Sequence, residues 1–113
     1  MNRKPATTAY EGSYDFDELN GVDPHIVTVD DQVLDPRPSL KLRNHSPTGF
    51  AWGYMGSGPS QLALALLLDY YGDEDYALRH YMKFKEVAVG IWDKDAAWSF
   101  TGADFDNIMA VIE

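Results

Sequence analysis

The residues best able to do chemistry gather in one stretch, residues 48–69, which reads TGFAWGYMGSGPSQLALALLLD. Its glycine loop, Gly56-Ser57-Gly58-Pro59, runs into an apolar helix. Free N–H groups at a helix start face outward at the positive end of the dipole and can hold an anion. The donors on offer are the backbone N–H groups of Ser57, Gly58, Ser60 and Gln61, with Gly56 in the turn, Tyr54 as a wall and His45 as the histidine nearest in sequence. A nucleotide, phosphate or carboxylate metabolite is the matching ligand class. Pro59 lacks a donor, the loop holds no Lys or Arg, and neither a phosphate-loop consensus nor a dinucleotide fingerprint is present. A packed turn accounts for the same glycines.

Catalytic readings fare worse. Ser57 between two glycines has the wrong spacing for a nucleophile elbow, and the chain lacks the strand–helix alternation such elbows need. An enzyme would have to assemble Ser57, His45 and a nearby acid. His25, His45 and His80 have no metal-ligand spacing among them, and the absence of cysteine removes thiolate sites, disulfides and cysteine nucleophiles. Paired carboxylates occur as Asp73-Glu74-Asp75 and Asp93-x-Asp95, at turns, where solvated charge is the ordinary outcome. No enzyme activity, no metal and no cofactor is expected.

Charge suggests a different use for those acids. With 18 acidic and 9 basic residues the net charge is −9, which repels nucleic acid, because that binding needs Lys and Arg to displace phosphate counterions. Solubility or salt adaptation is one account of the acidity. Imitation of nucleic acid is the other, with Asp73, Glu74, Asp75, Asp93 and Asp95 presented to a basic groove on a partner protein.

The elements that position these residues follow from pattern. Residues 1–8 read as a flexible tail and residues 9–113 as one domain, since 113 residues with 45% apolar content can bury a core. Tyr10, Tyr14 and Phe16 alternate with Glu11 and Asp15 as a strand, followed by a polar loop over residues 17–24. The apolar runs 26–29 and 32–34 flank Asp30-Asp31 as a hairpin, although no glycine is present. Asp35-Pro36-Arg37-Pro38 reads as an irregular connection, Leu40 and Leu42 as the start of a short strand. Phe50, Trp52 and Tyr54 alternate with Ala51 and Gly53 as a further strand with its aromatics on one face, packing on the helix or forming a contact patch.

Proline at a first turn starts a helix near Pro59, and the run from Leu62 to Leu68 is apolar on every side, as befits an enclosed central post. Gly72 stops it. Tyr76, Ala77, His80, Tyr81, Phe84, Val87 and Ala88 then make the inner stripe of a helix over residues 74–89, with Arg79, Lys83 and Glu86 outward. Trp98-Ser99-Phe100 suggests a short strand. Thr101 and Asp104 form a capping-box pattern ahead of Phe105, Ile108, Met109 and Ile112. Strands first and helices second predict an α+β fold, an antiparallel sheet covered on one face by about three helices.

The pattern T-G-F-x-W-G-Y-x-G-S-G-P-x-Q-L-A-L-A resembles the core of a small prokaryotic, archaeal and phage family of unknown function. Tyr10-x-Gly12 and Phe84-Lys85 with Val87 and Val89 extend the likeness over most of the chain. At Met55 that family usually has glycine and at Ala51 often an acid, so a ligand contact at either position would be altered here. The resemblance implies occurrence in phage genomes. The expected function is therefore a non-catalytic, cytoplasmic protein-interaction module, an inhibitor of a host defence or nucleic-acid-binding protein through its acidic surface. It binds neither nucleic acid directly nor membrane. The alternative is a small-ligand domain using the glycine loop.

Overall fold

In the computed structural model, residues 3–14, 25–47, 49–94 and 96–113 are described. Strand β1 (Ala9–Tyr14) buries Tyr10 and exposes Glu11 and Ser13, the alternation expected of a sheet with one covered face. Strands β2 (His25–Val29) and β3 (Gln32–Val33) form the hairpin, turned by Asp30 and Asp31 at φ of 47° and 68°. Aspartate tolerates the left-handed region because its short side chain bonds locally. The Asp30 carboxylate also accepts the Ala9 N–H of β1 at 2.9 Å, which ties the turn to the neighbouring strand.

Strand β4 (Trp98–Thr101) completes an antiparallel sheet in the order β3-β2-β1-β4. Tyr10 lies opposite Val29 and Phe100, and Gly12 opposite Val27 and Trp98, so these residues share the inner face. A Cβ on Gly12 would stand 2.1 Å from the Trp98 indole nitrogen, so only glycine lets this ring lie across the strand.

Four helices are described, α1 (Arg37–Leu42), α2 (Ser57–Tyr71), α3 (Glu74–Val87) and α4 (Gly102–Ile112), with a 3₁₀ turn at Val89–Ile91; α2 and α4 meet the inner face at Tyr10, while α1 and α3 pack on α2. Helix α2 is the central post: Leu62, Leu64, Leu66 and Leu67 are fully buried, and Leu68 is half-buried. It ends at Gly72 in the left-handed conformation. Asp73 caps α3 and the reciprocal Thr101–Asp104 capping box starts α4. Phe105 is the hub of an aromatic interior, with the rings of Tyr10, Tyr70, Phe84 and Phe100 all within 5.5 Å. Among the described residues no helix is long and apolar enough to cross a membrane.

Several sequence expectations are corrected. Residues 49–56 form no strand: Phe50, Ala51 and Trp52 turn inward while Tyr54 is 47% exposed, so there is no one-sided aromatic platform. Gly53 at φ 85° redirects the chain and donates its N–H to Val89 O at 2.9 Å, and a side chain there would strike the Lys94 backbone. Leu40 and Leu42 belong to helix α1, because Pro38 falls in its first turn, where a missing N–H is harmless. That helix raises the number expected from three to four. Val87, placed on the inner stripe of α3, is 40% exposed at the helix end. Residues 3–8 are laced to the domain: Lys4 N–H bonds Tyr70 O, while Gly102 and Ala103 donate to Thr8 O and Ala6 O. Phe16 and the polar loop over 17–24 lie outside the described residues.

Candidate functional site

The glycine loop is packed from several sides. Trp52 is fully buried, donates its indole N–H to Ala96 O at 3.1 Å and meets Trp98 and His25 edge-on. Tyr54 folds back over the start of α2: its ring edge sits where a Cβ on Gly56 would be, and its hydroxyl lies close above Gly58. The Tyr54 ring accounts for Gly56, whereas a Cβ on Gly58 would first meet the Ala51 methyl at 2.7 Å. Gly56 caps α2 without a side-chain bond, and Ser57 is exposed beside it.

One turn further in, the polar residues already have partners. Ser60 Oγ donates to Gly56 O at 3.0 Å and accepts from the buried Lys85 ammonium at 3.0 Å. Gln61, fully buried, makes four bonds: Oε1 accepts from His45 N and Ser46 N at 2.7 and 3.1 Å, and Nε2 donates to Ser39 Oγ and Arg43 O at 2.9 and 3.1 Å. It bolts α1 and the following loop to α2. His45 Nε2 pairs with the Tyr81 hydroxyl at 2.8 Å. The structure thus brings His45 and Gln61 together, and Ser60 with Gly56. No hydrogen bond joins His45 to Ser57 among the described residues, and none of those residues converge as three or more potential metal ligands.

The acids nominated from sequence divide. Asp73 is the α3 cap, its carboxylate accepting Tyr76 N–H at 3.1 Å, with Glu74 and Asp75 exposed beside it. Asp93 follows the 3₁₀ turn beyond the opposite end of α3, and a 14-residue helix is about 20 Å long. The two groups do not form one patch. Asp95 lies outside the described residues.

The other surface of note is the outer sheet face, which no helix among the described residues covers. Its central row runs Ser99, Glu11, Thr28 and Val33, flanked by Ser13 opposite Ile26 and by Ala9 opposite Thr101. A shallow groove of about 640 Å³ crosses it, bordered by Glu11, Ser13, Thr28, Asp31 and Ser99. Glu11 and Asp31 are exposed, and their carboxylates bond to no other described residue.

Residues 17–111 match the profile of a family of unknown function. The chain belongs to DUF6166. Neither the curated proteins nor the solved structures offered a match. The DUF6166 match leaves out β1, which in this chain is the strand that joins β2 to β4.

Charge in this DUF6166 member is segregated in a way that counting over the whole chain conceals. Residues 5–36 hold eight of the 18 acids and none of the nine lysines and arginines, whereas the remaining residues hold ten acids and nine bases. The described strands are free of Lys and Arg; the bases sit on α1, on α3, in adjoining loops and in the N-terminal segment. A tally by segment would have found this in the sequence.

Two acids of the helical layer, Asp69 and Asp106, are held by internal bonds. Asp69 accepts from Tyr10 Oη and Lys4 Nζ, both at 2.7 Å. Asp106 accepts from Arg3, Tyr70 and Tyr71 at 2.9 to 3.0 Å. Burial, reinforced by these carboxylates, pushes the Tyr10 and Tyr71 hydroxyls far above the ordinary tyrosine range, and Tyr70 moves the same way. Burial and the Glu113 carboxylate push Tyr76 up to about 12. On the surface, hydrogen bonds from Arg37 pull Asp35 down to about 2.

Proposed function

We propose that this protein is a non-catalytic interaction module whose acidic sheet side docks on a basic surface of another protein. The observation that supports this is the segregation of charge: an uncovered sheet face without a single Lys or Arg on its strands, backed by a helical layer that is nearly neutral. Like charge gathered on one side steers a basic partner and excludes acidic ones. A basic protein surface that normally receives nucleic acid has the complementary chemistry, so a mobile-element protein that blocks a host nucleic-acid-binding factor would present such a face.

Affinity capture from host lysate at low and high salt tests the reading, using the wild type, a Glu11→Lys/Asp31→Asn variant and a Glu74→Lys/Asp75→Lys variant. A basic partner held at low salt, released at high salt and lost in the sheet variant is expected. Retention of that partner by the sheet variant but not by the α3 variant would move the contact to the start of α3 and end the sheet-face proposal.

A second reading, a small anion at the glycine loop, is favoured by one feature: the buried Lys85 ammonium bonded to Ser60 within the first turns of α2. Thermal shift against nucleotides and simple anions at millimolar concentration checks it, with stabilisation expected if the site is real.

A further inference from the structure

Hydrogen-bond parity along the sheet identifies which backbone groups of β4 are left over. Gly102 N–H bonds Thr8 O, so residues 8 and 102 form a hydrogen-bonded pair. The register Ala9↔Thr101, Tyr10↔Phe100, Glu11↔Ser99, Gly12↔Trp98 then makes 10/100 and 12/98 the next such pairs. Trp98 and Phe100 therefore spend their backbone groups on β1, while Ser99 and Thr101 direct theirs to the open edge. Thr101 N–H is taken by Asp104 Oδ2 at 2.8 Å and its C=O, at the N-cap of α4, accepts the first bond of that helix, which leaves the Ser99 N–H and C=O as the edge groups without a partner among the described residues. The opposite edge is less usable, because β3 is only two residues long and Pro36 follows shortly after.

Side chains around this edge have a definite chemistry. On the outer face the small, exposed Ser99 stands between the edge and Glu11, so a long side chain on an added strand would pass over Ser99 to reach the Glu11 carboxylate. On the inner face the half-buried Trp92 ring lies 4.5 Å from Trp98 and 5.1 Å from Phe100, where it would meet the alternate side chains of that strand. An indole face accepts an apolar or a cationic group.

We infer that the partner contributes an extended, lysine- or arginine-bearing segment that adds to the sheet as a fifth strand along β4, its backbone paired with Ser99 and its outward basic side chains directed at Glu11. This rests on the acidic sheet-side reading and specifies how the partner is held: main-chain bonds give affinity and alternate side chains give selectivity. Charge complementarity selects the occupant, since the strands carry no base to repel it.

The probe is a labelled peptide of alternating lysine and valine, followed by fluorescence anisotropy. Ser99→Pro removes only the outward N–H, a position where edge strands accept proline. Independently, the wild-type protein is titrated with the same peptide N-methylated at alternate residues. Each change deletes strand bonds and is expected to weaken binding about tenfold or more. Glu11→Lys is expected to weaken it further at low salt than at high salt. Unchanged affinity for the N-methylated peptide, or no binding of the parent peptide to the wild type, would overturn strand addition. If strand addition fails while Glu11→Lys still abolishes binding, the acidic face survives as a docking surface without a fifth strand. If Glu11→Lys is also silent, both readings fall.

Discussion

Replacing Gln61 by leucine tests whether the glycine-loop region is held as a structural joint. The amide is fully buried and makes four hydrogen bonds, to His45 N, Ser46 N, Ser39 Oγ and Arg43 O. A typical hydrogen bond contributes about 1 kcal/mol net, so deleting all four sets an upper figure near 4 kcal/mol. Three of the released groups lie on half-buried or exposed residues and recover water, and Ser39 Oγ keeps its bond to Pro36 O at 2.8 Å. The expected loss is therefore about 2 to 4 kcal/mol, a large share of the about 5 to 15 kcal/mol that holds a domain together. Urea unfolding followed by far-ultraviolet circular dichroism measures it through the midpoint at an unchanged slope. Gln61→Glu is the companion variant: it keeps an acceptor for His45 N and Ser46 N but sets a carboxylate oxygen against Arg43 O, and should cost at least as much at neutral pH. A Gln61→Leu protein within about 0.5 kcal/mol of the wild type would show that these bonds contribute little and refute the joint.

Leu66→Ala removes a fully buried side chain from the central post and should cost about 2 to 5 kcal/mol by the same unfolding assay. Gly12→Ala places a Cβ 2.1 Å from the Trp98 indole nitrogen, so the ring must leave its position between Trp92 and Trp52; a loss of about 1 to 3 kcal/mol with altered tryptophan emission is expected. Alkaline pH acts through the buried tyrosines. Tyr76 is held near 12 and Tyr10, Tyr70 and Tyr71 are also raised, so above the ordinary value of about 10 the unfolded chain sheds protons that the folded one keeps. The contribution of these four tyrosines is full below about pH 10 and declines as pH rises towards the folded-state values, their tyrosinate absorbance appearing as the protein unfolds; a protein that gains stability over that range contradicts the assignment.

The parts of the fold that could be read from sequence are those written in local signals. Helix α2 announced itself by Pro59, the leucine run and Gly72, and α4 by Thr101 and Asp104, because caps and turns act within a few residues. The hairpin was legible even without glycine, since two aspartates can occupy the left-handed region. Residues 50–54 misled because alternating aromatic and small residues look the same whether the chain stays extended or bends. The bend at Gly53 depends on Val89 O and Lys94, more than 30 residues away. Helix α1 was hidden behind Pro36 and Pro38, and its anchor, Ser39 to Gln61, spans 22 residues. The same distance problem applies to the site: His45, Ser60 and Gln61 bond to Tyr81, Lys85 and the 39–46 segment, partners too far along the chain to be read from local pattern.

Placement bears on the proposed docking. The described strands carry no Lys or Arg, and a surface of one charge sign steers a partner of the opposite sign. Two half-buried acids of the helical layer meet bases or tyrosines, Asp69 meeting Lys4 and Tyr10 and Asp106 meeting Arg3, Tyr70 and Tyr71, whereas Glu74 and Asp75 at the start of α3 are exposed. Glu11 and Asp31, at the sheet surface, have no such partner among the described residues. Like charges gathered without counter-charges repel one another and oppose the compact state. A basic surface laid against the sheet would relieve that repulsion at the moment of binding, so the arrangement that strains the free protein is the one that favours the complex.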